Sequence, residues 1–223
     1  MAMLLTLSCP AVLRAVPQPT RARVVISTTM ASPFTPNAPR DGGVISEPAA
    51  RWALGQMLCA VVEVDTPELR ASVRTTFLRP EPSSASTSTP GSARPLALFL
   101  HGADFSCLEW RLVMRPLLEA GVDCVAVDWY SGGWTDRAPL NARLQDQAQA
   151  QQEQRLQGDV QPWTLVRQHL HAFWAQQLEG RPVVLVGASL GGAVALDFAT
   201  THPEAVTKLV LIDAGGQSFK APP

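Results

Sequence analysis

Chemistry in this chain would turn on Ser189. It sits in Gly187-Ala188-Ser189-Leu190-Gly191, directly after the apolar run Val183-Val184-Leu185-Val186. The run reads as a buried strand, the glycines as a sharp turn and the following apolar stretch as a helix. A serine at such a corner exposes its hydroxyl, and the flanking glycines let backbone segments close in where a side chain would clash. An alcohol attacks at neutral pH only with a base, normally a histidine oriented by a carboxylate. The sequence holds four histidines. His202 lies in a His-Pro-Glu helix end and reads as structural. His169 and His171 lie upstream on one helix, with at least one expected on a solvated face. His101 reads as loop support. None is a convincing base for Ser189. Asp213 follows Ser189 by 24 residues and closes an apolar run. It is the candidate acid, although aspartate is frequent at that position without chemistry.

The elements around these residues alternate. Pro95 to Leu100 reads as a strand ending in His101-Gly102-Ala103-Asp104. Cys107 to Glu119 reads as a helix with Leu108, Trp110, Leu112, Met114, Leu117 and Leu118 at helical spacings, weakened or kinked by Pro116. Val122 to Val127 is a strand ending in Asp128, and Ser131-Gly132-Gly133 a loop. A helix begins at Pro162, with Val166, Leu170, Phe173 and Trp174 on one face. The helix after Ser189 carries Leu190, Val194 and Phe198, and Lys208 to Ile212 is a last strand. This order predicts an α/β fold: a mainly parallel sheet with helices on both faces. Right-handed crossovers bring the C-terminal strand ends, and so His101, Asp128, Ser189 and Asp213, to one rim. Upstream, Trp52 to Val64 and Arg70 to Leu78 could add one or two antiparallel strands. Pro80 to Ser92 reads as a flexible loop. Asn141 to Gln161, with eight glutamines in twenty-one residues, reads as a solvated insertion or frayed helix.

The chain of 223 residues is 46% hydrophobic, enough for one domain with a real core. A formal net charge of -1 gives no electrostatic footprint for nucleic acid or an acidic membrane. No apolar run approaches the roughly 20 residues of a membrane span. Cys9, Cys59, Cys107 and Cys124 form no Cys-x-x-Cys, so neither a disulfide nor a zinc framework is expected, and a reducing compartment is the default. Residues 1–40 contain no Asp, Glu or Lys, but Arg14, Arg21, Arg23 and Arg40 with scattered Ser and Thr. That composition predicts a disordered transit peptide outside the fold, for a chloroplast, with a mitochondrion or the cytoplasm as alternatives. The expected divisions are 1–40, then 41–94 with leading strands and the Ser/Pro-rich loop, a core at 95–216 and a tail at 217–223.

Several of these segments together resemble the α/β-hydrolase family. They are His101-Gly102 after a strand, Asp128 to Asp136 after the next, Gly187 to Gly191, His202-Pro203-Glu204 and the Leu209 to Asp213 run. The stretch Ser106-Cys107-Leu108-Glu109-Trp110-Arg111 is similar to plastid hydrolases of plants and algae. The resemblance implies that Ser189 is the nucleophile and that the backbone N–H groups of Ala103 and Leu190 form the oxyanion hole. Serine at 189 argues against the dehalogenase and epoxide-hydrolase branches, which use aspartate there. It also implies that Asp128 and Asp136 stabilise a turn in which Ser131 replaces a glycine and Thr135 a serine. A minority of the family carries its acid where Asp213 stands. The family's histidine comes after the last strand, and its lid and two further strands have no counterpart here, so the chain reads as C-terminally incomplete.

Two readings follow. One is a serine hydrolase acting on a small-molecule ester, thioester or amide, with no metal or cofactor required. The other is a catalytically incomplete fragment or pseudoenzyme that binds a ligand or partner.

Overall fold

Short, continuous runs of leucine and β-branched residues are the mark of strands buried on both faces. The computed structural model describes residues 4–8, 45–67, 69–81, 94–136 and 162–215 and shows that arrangement. The strands are β1 (Leu4–Ser8), β2 (Met57–Asp65), β3 (Arg70–Leu78), β4 (Leu96–Leu100), β5 (Asp123–Val127), β6 (Val183–Ala188) and β7 (Val206–Ile212). The helices are α1 (Pro48–Leu54), α2 (Arg111–Glu119), α3 (Pro162–Gln177) and α4 (Leu190–Thr201), with 3-10 turns at Cys107–Trp110 and Pro203–Ala205. One sheet runs β1-β7-β6-β4-β5-β3-β2. β5, β4, β6 and β7 are parallel, whereas β2, β3 and β1 join antiparallel.

The side-chain alternation of the strands divides the core between two faces. Leu98, Leu100, Val125, Val127 and Leu185 pack with Leu170 and Phe173 of α3 and Val194 and Phe198 of α4. Ala97, Phe99, Cys124, Ala126 and Val186 pack on the other face with Trp110, Met114 and Leu118. Gln176 fastens α3 to the sheet edge, accepting from Glu63 N at 3.0 Å and donating to Glu63 O at 2.7 Å.

Three details differ from expectation. Leu4–Ser8, assigned to a disordered leader, forms β1. Its short alternating sequence pairs with β7 from Leu4 opposite Ile212 to Ser8 opposite Lys208, filling a row of backbone groups that would otherwise be an open edge. Trp52 belongs to α1 rather than a leading strand, because Pro48 starts a helical turn there. Leu112 is 60% exposed, because α2 rests on the sheet through Met114 and Leu118. The glutamine-rich stretch 141–161, most of the Ser/Pro-rich loop and residues 9–44 lie outside the described residues.

Candidate active site

The strand register assembles the rim. Val127, Leu100, Gly187 and Leu211 stand in one row across β5, β4, β6 and β7. Asp128, His101, Ser189 and Asp213 follow within two residues of that row, which brings the rim residues of the sequence together.

Ser189 takes φ 49° and ψ -119°, a conformation that costs a non-glycine residue about 1–3 kcal/mol. Its surroundings hold it there. Ser189 N donates to Ile212 O, and Ser189 O accepts from Gly192 N and Gly215 N, all at 3.0 Å. A Cβ on Gly187 would strike the carbonyl oxygen of Gly191, and one on Gly191 would strike those of Leu100 and His101. These glycines are what allow β6, α4 and the β4 end to meet. Ser189 is exposed. Leu190, first in α4, leaves its N–H without an intrahelical partner, and the helix N-terminus favours negative charge.

Gly102 lies opposite, where an added Cβ would sit 3.4 Å from Ser189 Cβ. Glu109 fixes this turn: its Oε2 accepts from Gly102 N at 2.7 Å. Sequence reasoning left Glu109 unassigned; its place seven residues after Gly102 in a Leu-Glu-Trp stretch was the available signal. Glu109→Ala should cost about 1.5–3 kcal/mol, the range for a hydrogen bond to a charged group. For a chain of this size that lowers the melting temperature by about 3–12 °C, readable by calorimetry, while Glu109→Gln should recover part of the loss.

Asp128 ties the next loop. Its Oδ1 accepts from Cys107 N at 2.5 Å and its Oδ2 from Trp134 N at 2.8 Å. Thr135 Oγ1 donates to Asp128 O at 2.6 Å and accepts from Thr76 N at 3.0 Å, so threonine supplies a bridging hydroxyl here. Ser131, in place of a glycine, sits at φ 68°. Asp136 pairs with Arg74 at 3.6 Å. Asp128 and Asp136 are thus loop anchors, as the family resemblance implied.

The histidines are not gathered at Ser189. His101 is buried, with Nδ1 2.8 Å from Gly102 O, which assigns the proton to Nδ1. Its Nε2 lies 3.7 Å from Asp128 Oδ1, but burial lowers the ring to about 4, so this is no ion pair at neutral pH. His169 is fully buried beside Tyr130, with Nε2 2.7 Å from Thr75 Oγ1. Its companion His171 is half-buried and stacked on His202 at the far end of α4. α3 packs against both the sheet and α4, which buries His169 and leaves His171 partly open. Asp213 is exposed at φ 45°, one residue after the carbonyl that binds Ser189 N.

These burials set a pH response. Burial lowers His101 from 6.5 to about 4 and His169 from 6.5 to about 3. The unfolded chain then binds more protons below pH 6.5, so this stability is complete above 6.5 and is lost as pH falls toward 3–4. Burial raises Asp128 from 3.8 to about 6, which acts oppositely between those values. Burial also lowers His202 to about 4 and His171 below its usual 6.5, so four histidines against one carboxylate give a net rise in the urea midpoint from pH 4.5 to pH 7. His169→Gln should make that rise shallower.

A cleft of about 560 Å³ opens at the rim between His101, Ala103, Phe105, Trp129, Trp134 and Leu190. An apolar recess of about 210 Å³ adjoins it through Trp129 and Leu190, walled by Tyr130, Trp163 and Val166. Trp129 stacks on His101, with ring centroids 5.0 Å apart.

A mostly parallel sheet wrapped by helices, with a strand-turn-helix serine at its C-terminal rim, defines a hydrolase-type α/β architecture. The chain belongs to the alpha/beta hydrolase family, whose model matches residues 97–223. It is 34% identical over 181 residues to the alpha/beta hydrolase domain-containing protein VTE7 of Arabidopsis thaliana, covering 81% of this chain and 47% of VTE7. Among solved structures it is similar to the Lip1 protein of Acinetobacter baumannii AYE, with a TM-score of 0.51, 19% identity and coverage of 83% of this chain and 50% of that one. Cfl2 of Burkholderia cenocepacia gives a TM-score of 0.49 at 24% identity, covering 75% and 46%. The chain spans less than half the length of the curated relatives it matches. Among the described residues, no helix is long and apolar enough to cross a membrane.

Proposed function

We propose that the chain carries the nucleophile side of a serine hydrolase acting on an ester, thioester or amide. The observation that carries this reading is the backbone of Ser189, an exposed hydroxyl residue held at φ 49° between glycines at the start of a helix. Ser189 Oγ attacks the carbonyl carbon. As that carbon becomes tetrahedral, the N–H groups of Leu190 and Ala103 donate to the developing oxyanion, each donor being worth about 3–4 kcal/mol. The cleft at Ala103 and Leu190 receives a small-molecule substrate, and the recess takes its apolar part. A histidine removes the serine proton and returns it to the leaving group. That histidine lies outside these 223 residues on this reading, because none of the four present adjoins Ser189. Asp213, exposed just after the end of β7, is the carboxylate this reading assigns to orient it.

The lack of a histidine beside Ser189 favours a second reading for the chain alone: a ligand- or partner-binding module on the same fold. The two readings separate in an assay with short-chain nitrophenyl esters. The product of the whole open reading frame should turn over the ester and lose that activity in Ser189→Ala. The 223-residue chain alone should not turn it over. Turnover that persists in Ser189→Ala would remove the serine mechanism.

The N-terminal composition and the plant relative VTE7 support a plastid address. Residues 1–40 fused to a fluorescent protein should direct it to chloroplasts.

A further inference from the structure

The far end of α4 gathers a second set of reactive side chains. His202 closes the helix, its N–H donating to Phe198 O at 2.8 Å. Glu204 follows in the 3-10 turn, and α3 lays His171 against both. One ligand atom from each of His171, His202 and Glu204 lies within 4.8 Å of the others. We propose that these three residues form a binding site for a divalent transition-metal ion of the zinc type, with water completing its coordination.

The donor chemistry selects the ion. Two imidazoles and one carboxylate suit zinc, cobalt or nickel, whereas calcium and magnesium take oxygen ligands. The spacing is near what a shared ion needs. His202 Nδ1 and Glu204 Oε1 are 3.5 Å apart, and bonds of about 2.1 Å in a tetrahedron set ligand separations of about 3.4 Å. The two rings now stack, with centroids 4.2 Å apart and planes 23° from parallel. Coordination turns each ring about its side-chain torsions until its in-plane lone pair faces the ion. Both histidines are half-buried and Glu204 is exposed, which leaves room for that turn. Aromatic rings border the pair: Trp174 contacts His171 and Phe198 contacts His202. Such an apolar surround limits competing water. The nearby Arg167 is neutralised by Asp197, with its Nη1 3.0 and 2.9 Å from the two carboxylate oxygens.

The site is separate from the rim. The twelve residues of α4 set it about 18 Å from Ser189. An ion there clamps α3, α4 and the entry to β7, and does not polarise a substrate at Ser189.

Cobalt titration of the untagged 223-residue chain tests the proposal. One equivalent should bind with the visible d–d bands of a tetrahedral site and no thiolate charge-transfer band, and zinc should displace it. His171→Ala and His202→Asn should each weaken binding at least about 100-fold, as expected for loss of a direct ligand when second-shell losses already reach that range. Glu204→Gln, an exposed change that leaves the fold intact, should weaken it about 10-fold or more and keeps the test open if a histidine variant fails to fold. Absence of saturable binding by calorimetry would overturn the proposal. So would a thiolate band, or binding unchanged in Glu204→Gln.

Discussion

Gly191→Ala is expected to destabilise the fold by about 3 kcal/mol or more, at the upper end of overpacking costs. A Cβ there meets the carbonyl oxygens of Leu100 and His101 and lies 2.8 Å from Leu100 C. All three are backbone atoms at the end of a central strand, so no side chain can swing away. For a chain of this size the melting temperature should fall by about 6–12 °C, at 2–4 °C per kcal/mol. Gly187→Ala should behave similarly, since its Cβ would lie 2.7 Å from Gly191 C and Gly192 Cα. Gly192→Ala should cost less, because it meets mainly the Cβ of Ala214, at 2.6 Å, in an exposed segment after β7. Gly102→Ala is the internal control: its nearest contact, at 3.4 Å, is ordinary. Calorimetry on the four variants should therefore rank Gly191 and Gly187 as most sensitive, then Gly192, then Gly102. Equal losses across the four would mean that close backbone packing is not what the turn requires.

Ser189→Gly should separate stability from activity. Serine at φ 49°, ψ -119° carries strain of about 1–3 kcal/mol that glycine does not. Relief of that strain, less the extra chain entropy glycine loses on folding, should leave the variant about as stable as the parent or up to about 2 kcal/mol more stable. The same substitution removes the proposed nucleophile. In the full-length protein, kcat should fall on the order of 10⁶-fold, the scale seen when an activated serine is removed. Ser189→Ala should be equally inactive without the gain, because alanine keeps the Cβ and its strain. A stabilised but inactive glycine variant beside an unstabilised, inactive alanine variant is the expected pair. It would mark Ser189 as a residue whose backbone is held against its own preference for a purpose other than folding.

Much of this was readable from local pattern. The apolar runs that became β4, β5, β6 and β7 are continuous and short, and each precedes its rim residue by one or two positions. Ser189 and its glycines are adjacent in sequence, so their geometry is local. Most of the residues missed are those whose role depends on partners distant in the chain. Thr135 meets Thr76 across 59 residues, and His169 meets Thr75 across 94. No periodicity within α3 announces that its polar histidine faces a threonine of β3. β1 was missed because its composition speaks of a leader, whereas its pairing depends on the free edge of β7. Glu109 looked like part of an amphipathic helix. Its function as an acceptor for Gly102 N emerges only once the 3-10 turn folds back on the strand end.

On the proposed function Ser189 is an activated nucleophile. Fluorophosphonate labelling of the full-length gene product, followed by peptide mapping, tests it most directly. One covalent adduct is expected, on the peptide containing Ser189, and none in Ser189→Ala. A folded protein that takes no label, or one whose adduct maps elsewhere and survives in Ser189→Ala, would contradict it.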